Sequence, residues 1–194
     1  MTTSYWDHRY AIGGNSGAGS YGKLADYKAR VINDFVAENK VDHLIDMGCG
    51  DGNQLALFRV DRYTGIDTSK VAIERLQEKY AGDKKKLFAT KAGYQKAPLV
   101  ISLDVIFHLT DDEQFERYMK TLFNASRKYV IIYSSNGDKL KHTGGHMIDR
   151  RFTDWVKENR PDFTLTKVLE NEYPFDPGKS GSTSISDFYF FEKQ

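Results

Sequence analysis

Nine consecutive residues, Leu44-Ile45-Asp46-Met47-Gly48-Cys49-Gly50-Asp51-Gly52, indicate how this chain folds. Residues 41–46 are mostly apolar and predict a short strand, which runs directly into alternating glycines. Glycines after the first strand of an open α/β sheet let a ligand approach the backbone, outside the carboxyl ends of the strands. The stretch therefore predicts the first strand of such a sheet and the position of a ligand site.

Helices and strands alternate around this stretch. Apolar residues recur at helical spacing over residues 21–39, and residues 54–58 read as the start of a helix after the glycines. A second strand is predicted over residues 63–67, and Thr68 or Ser69 can cap the helix that follows it. Strand, helix and strand in this order predict a βαβ unit with parallel strands.

The alternation continues through the middle of the chain. Residues 87–90 predict a weak third strand and residues 99–104 a strong fourth strand. The run Thr110-Asp111-Asp112-Glu113 has the pattern of a capping box and opens an amphipathic helix, after which residues 128–133 make a fifth strand. This order predicts a parallel sheet that is covered by helices on both faces.

The last part of the chain has a different pattern. A short helix over residues 153–159 is followed by two strands, 163–170 and 185–192, without a helix between them, so these strands should pair antiparallel. The predicted fold class is α/β: a single doubly wound, Rossmann-like domain whose mostly parallel seven-stranded sheet ends in an antiparallel hairpin. We assign residues 1–22 to an N-terminal aromatic and Gly/Ser-rich lid segment, and residues 23–194 to the domain.

The composition restricts the partners and the compartment. With 28 Lys and Arg against 27 Asp and Glu, the net charge of +1 argues against a nucleic-acid partner. The run Lys84-Lys85-Lys86 is read as a solvated face or as a contact for an anionic partner. A lone cysteine, no apolar secretion signal and no membrane-length apolar stretch predict a cytoplasmic protein without a membrane partner. The oligomeric state cannot be read from the sequence.

The glycine turn and the end of the second strand together predict the kind of ligand. Asp67 ends that strand, where a carboxylate can accept both hydrogen bonds of a ribose diol, so an adenosine-containing cofactor is expected. A nicotinamide dinucleotide fingerprint would require a small residue at position 53, where this chain has Asn53. A nicotinamide oxidoreductase is therefore disfavoured.

Three segments resemble the motifs of class I S-adenosylmethionine-dependent methyltransferases: the stretch 44–52, the run Gly65-Ile66-Asp67-Thr68-Ser69, and residues 102–109. The resemblance covers residues 21–194, and the terminal hairpin matches that family's fold as well. It implies S-adenosylmethionine as the cofactor and S-adenosylhomocysteine as its product. It also implies cofactor contacts from Asp46, Gly48, Cys49, Gly50, Asp67, Thr68 and Asp104. Many members carry an acid at the third strand, where this chain has Phe88-Ala89-Thr90.

The opening run Tyr5-Trp6-Asp7-His8-Arg9-Tyr10 resembles the leading segment of some small-molecule methyltransferases, which folds over the cofactor. In this interpretation Trp6 or Tyr10 offers an aromatic face to the sulfonium, so both are candidate cofactor-binding residues. The Gly/Ser tract at residues 13–20 is read either as the hinge of a lid or as part of a flexible end.

Several polar residues are candidates for the acceptor side of the site. Asp104 and His108 border the expected reaction space and are the candidate catalytic residues, with His108 acting as a general base or orienting its loop. His142 and His146 have a ligand-like spacing, but Gly144-Gly145 argues against a helix, and no metal site is predicted. Arg150 and Arg151 are read as anion-binding or as structurally paired.

These observations predict an S-adenosylmethionine-dependent methyltransferase that acts on an oxygen or nitrogen of a small molecule, such as a sugar or another glycan precursor. The opening segment and residues 134–151 are expected to shape the acceptor pocket. Two alternatives stay open. The acceptor could be RNA or protein, or the chain could be a module that binds S-adenosylmethionine without transferring methyl, because fold alone does not establish activity.

Overall fold

The computed structural model describes residues 3–93, 95–137, 147–179 and 181–194. Within these ranges, five α-helices and seven β-strands carry the fold. The helices are α1 (Thr3–Ala11), α2 (Gly22–Glu38), α3 (Lys70–Lys79), α4 (Asp112–Asn124) and α5 (Phe152–Asn159). The strands are β1 (His43–Met47), β2 (Arg62–Ile66), β3 (Lys86–Ala89), β4 (Ala97–Leu103), β5 (Ser126–Ser134), β6 (Phe163–Leu169) and β7 (Asp187–Lys193).

All seven strands form one sheet in the order β3-β2-β1-β4-β5-β7-β6. Strands β1 to β5 are parallel, and β7 lies antiparallel between β5 and β6. The predicted fold class, with its terminal antiparallel hairpin, is confirmed. Because the chain runs outward from β1 through β2 to β3 and then returns to β4, the order reverses between β1 and β4. That reversal is where sheets of this kind bind ligands.

Helices pack on both faces of the sheet and bury two apolar cores. On one face, residues of α2 and α3 such as Tyr27, Ile32 and Leu76 pack against Leu44, Leu99 and Ile131 of the strands. On the other face, α4 and α5 contribute Phe115, Met119, Leu122, Phe123, Phe152 and Trp155. The buried face of α4 follows the predicted helical spacing. Within the described ranges no helix is long and apolar enough to cross a bilayer.

Two local predictions about helices are wrong. The N-cap of α4 is Asp111 rather than Thr110, because the Asp111 carboxylate accepts a 2.7 Å hydrogen bond from the Gln114 backbone N–H. No α-helix follows the glycine turn; Gln54–Leu57 makes only a short 3-10 helix. It ends there because the Asn33 side-chain amide pairs with the backbone on both sides of Phe58, donating to the Leu57 carbonyl and accepting from Arg59 N–H.

Candidate functional site

The glycine turn after β1 is tied firmly to β2. The backbone N–H groups of Gly48 and Cys49 both donate to the Ile66 carbonyl, at 2.7 and 3.1 Å. Gly48 and Gly50 have positive φ angles of 97° and 56°, which favour glycine. A Cβ at Gly48 would lie 2.4 Å from a methyl group of Val105, so the turn packs directly against the chain that leaves β4. The ends of β1, β2 and β4 therefore lie close together at one edge of the sheet.

Asp67 lies at the β2 side of this turn and is held by two backbone donors. Gly50 N–H donates to Oδ2 at 2.9 Å, and Ser69 N–H donates to Oδ1 at 2.8 Å. Each carboxylate oxygen retains a further lone pair that can accept a ribose hydroxyl. Burial raises the pKa of Asp67. Its neighbour Thr68 is exposed, and the cap of α3 is Ser69.

Asp46 lies beneath the turn and is 2% exposed. The Tyr63 hydroxyl donates to its Oδ2 at 2.8 Å, whereas Oδ1 has no hydrogen-bond partner among the described residues. Burial raises the pKa of Asp46 to about 7. A buried acceptor without a donor is rare in a native structure and requires an explanation, of which a bound group is one. The residues around the turn thus fit a polar ligand that carries hydrogen-bond donors.

Cys49 does not present its thiol to this edge of the sheet. Its side chain is buried in the core beneath the sheet's end, and a Cβ on Gly65 would come within 2.8 Å of its sulfur. Burial raises the pKa of the Cys49 thiol well above its ordinary value. A contact of Cys49 with the cofactor stays a prediction that concerns its backbone alone.

Asp104, the first residue after β4, has an unusual backbone and two side-chain partners. Its φ angle is 58°, in the left-handed region. Oδ1 accepts a 2.7 Å hydrogen bond from the Ser186 hydroxyl, and Oδ2 accepts one of 2.8 Å from the Lys28 ammonium. Lys28 was not singled out in the sequence analysis. The signal was available, because Lys28 stands four residues from both Leu24 and Ile32 and so falls on the buried face of α2.

The N-terminal segment lies on the glycine turn, and three residues missed by the sequence analysis hold it there. Ser16 and Asp51 form a reciprocal pair, in which Ser16 N–H donates to Asp51 Oδ2 at 2.8 Å and Asp51 N–H donates to Ser16 Oγ at 3.0 Å. Asp7 of α1 accepts hydrogen bonds from the Ser69 hydroxyl and from Val71 N–H at the start of α3. Residues 3–11 of this segment are helical, which the sequence analysis did not predict.

An aromatic row connects this segment with the end of β4. The Trp6 ring lies 5.6 Å from the His108 ring and 5.9 Å from the Tyr10 ring, between centroids. The Tyr10 hydroxyl lies 3.0 Å from Ser16 Oγ, directly over Gly50. The structure thus brings Trp6, Tyr10 and His108 together beside the turn. Their roles toward a cofactor or an acceptor stay predictions.

Arg150 and Arg151, which precede α5, lie beside acidic side chains. Arg150 is paired: Nε donates to the Leu109 carbonyl at 3.1 Å, and the guanidinium lies 2.7 Å from Asp112. Arg151 is exposed and lies 4.0 Å from Asp154. His142 and His146 lie outside the described residues. Within the described part of the chain, no group of three or more His, Cys, Asp or Glu residues could hold a metal ion.

Comparison with known families identifies the class of this site. A family model described as a methyltransferase domain matches residues 21–167, well over half of the chain. The chain belongs to that family, and it is an enzyme of the class I S-adenosylmethionine-dependent methyltransferases, as its motifs predicted. The cofactor of this class is S-adenosylmethionine, with S-adenosylhomocysteine as the product. A comparison of the sequence with curated proteins found no match.

Solved structures of methyltransferases have the same fold. N-methyltransferase NodS from Bradyrhizobium japonicum WM9, in complex with S-adenosylhomocysteine, is 12% identical with a TM-score of 0.73, covering 100% of this chain and 99% of its own. Magnesium protoporphyrin IX methyltransferase from Synechocystis PCC 6803, with bound S-adenosylhomocysteine, is 14% identical with a TM-score of 0.71, covering 99% and 98%. The methyltransferase domain of bacterial CtHen1 is 18% identical with a TM-score of 0.65, covering 88% and 99%.

Proposed function

We propose that this enzyme transfers the methyl group of S-adenosylmethionine to an oxygen or nitrogen of a small-molecule acceptor. The bound cofactor supplies an electrophilic methyl group on a sulfonium. In that reaction the acceptor lone pair would bond to the methyl carbon, the electron pair of the carbon–sulfur bond would pass to sulfur, and the acceptor's proton would pass to water. The contribution of the chain is to align the two reactants and to exclude water.

The position of Asp67 is the main support for the proposed cofactor site. Its carboxylate is fixed by Gly50 N–H and Ser69 N–H, beside a turn that permits close approach of a ligand to the backbone. Asp67 would bind the ribose hydroxyls, and Asp46, Gly48 and Gly50 would line the site beneath the rest of the cofactor. Asp46 fits this position because its Oδ1 is a buried acceptor without a described partner.

The N-terminal segment would serve as a lid over the reactants. Ser16 lies over Gly50, and Trp6 places its ring between Tyr10 and His108, so the segment covers the turn and the end of β4 together. Closing such a segment after the reactants bind would exclude water from the methyl group. His108 borders the reaction space, and its action as a general base stays a prediction.

Hydroxyl groups at the end of β5 support a hydroxyl-rich acceptor, such as a sugar. Ser134 and Ser135 are 0% and 2% exposed, and neither hydroxyl has a hydrogen-bond partner within the described ranges. Buried hydroxyls gain from a ligand that donates and accepts hydrogen bonds. The near-neutral net charge of +1 favours a small acceptor over a polyanion.

Calorimetric titration of the ligand-free protein with S-adenosylmethionine and S-adenosylhomocysteine tests the cofactor site. We expect micromolar binding by the natural protein and at least tenfold weaker binding by an Asp67→Ala variant, because hydrogen bonds to a charged group contribute about 1.5–3 kcal/mol each. Asp61→Ala is the matched control, since Asp61 is exposed and pairs with Lys85 away from the turn.

Unchanged affinity of folded Asp67→Ala protein would overturn the ribose assignment. No binding of either compound to the natural, ligand-free protein would overturn the proposed cofactor site as a whole.

A further inference from the structure

Lys28 is a buried cation beside the proposed cofactor site. The residue is 1% exposed, and its ammonium lies 2.8 Å from Asp104 Oδ2 and 5.4 Å from the centre of the Tyr133 ring. Removing an ammonium from water costs several kcal/mol, and well-packed apolar residues in place of a buried ion pair often leave stability unchanged or improved. Fold stability alone therefore does not account for a lysine at this position.

The order of the strands places this ion pair opposite the proposed ribose site. Asp67 follows β2, the glycine turn follows β1, and Asp104 follows β4, in three neighbouring strands. Neighbouring strands lie about 4.8 Å apart, so the two carboxylates stand roughly 10 Å apart across the turn. A cofactor whose ribose binds Asp67 and which crosses the turn reaches β4 with its other end. In S-adenosylmethionine that end is an α-amino acid, with one carboxylate and one ammonium.

The ion pair retains hydrogen-bonding capacity for such a group. An ammonium has three donors, and in the described structure Lys28 uses one of them, toward Asp104. The two Asp104 oxygens accept from Lys28 and Ser186, and each oxygen has a second lone pair. A Cβ on Gly19 would come within 3.1 Å of Asp104 Oδ2, so the N-terminal segment closes over this carboxylate.

We propose that Lys28 binds the carboxylate of the methionine end of the cofactor, and that Asp104 binds its ammonium. The inference rests on the proposed function. It assigns the oppositely charged Lys28–Asp104 pair to the amino acid end of the cofactor, whose carboxylate and ammonium also carry opposite charges. Asp104 is then a binding residue rather than a base, because its oxygens accept from Lys28 and Ser186 and their remaining lone pairs would accept from the ligand's ammonium. The left-handed backbone at Asp104 turns its carboxylate toward Lys28 and Ser186 at the cost of some strain.

Two ligands that differ in the amino acid end test this assignment. S-adenosylhomocysteine carries that end, whereas 5′-methylthioadenosine has the same adenosine and thioether without it. In calorimetric titrations we expect Lys28→Met to weaken S-adenosylhomocysteine at least tenfold, and to change the affinity for 5′-methylthioadenosine by less than twofold. Equal weakening of both ligands, or unchanged binding of S-adenosylhomocysteine, would overturn the proposal.

A second variant removes the risk that Lys28→Met leaves Asp104 as a partly buried charge without its cationic partner. In Lys28→Met/Asp104→Asn both charges are absent, and asparagine tolerates the left-handed backbone at residue 104. We expect the same selective loss of S-adenosylhomocysteine binding in this variant. If the natural protein binds neither ligand, the proposed function fails; if it binds both and the variants do not discriminate between them, only the present inference fails.

Discussion

At the scale of single residues, Asp46 makes the free energy of unfolding depend on pH. Burial raises the pKa of Asp46 from the ordinary aspartate value of 3.8 to about 7, against the opposing effects of the Tyr63 hydrogen bond and of Lys28. The folded protein therefore keeps this proton up to about pH 7, whereas the unfolded chain releases it near pH 4. Between these values the folded state binds more protons, so the contribution of Asp46 to the free energy of unfolding falls as the pH rises.

An Asp46→Asn variant isolates this contribution. Between pH 5 and 7 we expect the natural, ligand-free protein to lose unfolding free energy relative to the variant. The loss should be on the order of a few kcal/mol. Urea denaturation at a series of pH values measures the difference. Asp34→Asn is the control, because Asp34 is exposed on α2. Parallel curves for Asp46→Asn and the natural protein would contradict the raised pKa.

Whether a residue of the candidate site was predicted or missed depends on how far along the sequence its partner lies. Asp46, Gly48, Gly50 and Asp67 were predicted because their roles follow from neighbours in one short pattern of strand, turn and strand. Ser16 and Asp51 were missed as a pair because 35 residues separate them. Lys28 and Asp104 are 76 residues apart, and their contact depends on how α2 packs against the sheet. No local pattern specifies that arrangement.

At the scale of elements, strand positions were predicted more closely than helix ends. Strands that are buried on both faces of the sheet appear in the sequence as continuous apolar runs, so their positions can be read directly. The end of a helix depends on which polar side chain reaches its free backbone groups. Asp111 in place of Thr110 at the start of α4 is such a case. The helix α1 was missed because nothing local distinguishes it from an unstructured end. The hydrogen bond that holds it joins Asp7 to Ser69, which is 62 residues further along the chain.

The Asp7 contact makes α1 a testable part of the proposed lid. Asp7 accepts from the Ser69 hydroxyl and from Val71 N–H at the positive end of the α3 dipole, and the Ser69 hydrogen bond lowers its pKa. We expect Asp7→Ala to raise the dissociation rate of S-adenosylhomocysteine several-fold, because the lid loses an anchor that does not itself bind the cofactor. Stopped-flow fluorescence of Trp6, which stacks near Tyr10, reports the release.

The control for the lid lies on the same helix. His8 of α1 is exposed, and His8→Ala is expected to leave the dissociation rate unchanged. Equal dissociation rates in Asp7→Ala and the natural protein would show that α1 does not restrain the product. The proposed cofactor site would still stand in that case, because the residues that define it lie on the sheet.

At the scale of the whole molecule, the distribution of charge bears on the acceptor. Basic and acidic residues are nearly equal in number. Many basic side chains of the described residues form ion pairs on the surface. Of the basic run at residues 84–86, Lys85 pairs with Asp61 and Lys86 pairs with Asp83. Exposed pairs of this kind add little stability, but they cancel much of the field that would attract a polyanion. The molecule thus lacks the strong overall positive charge typical of RNA-binding proteins.

We therefore expect no salt-dependent binding of a mixed-sequence RNA oligonucleotide, measured by fluorescence anisotropy at 50 and 200 mM salt. A protein that neutralises several RNA phosphates loses affinity steeply over this range, because bound cations are released from the RNA. A Lys84→Glu variant is the matched control and should bind no differently from the natural protein. RNA binding that weakens steeply with salt and falls further in Lys84→Glu would contradict a small-molecule acceptor. The basic run beside β3 would then be part of an acceptor surface, and RNA the better candidate for the methyl acceptor.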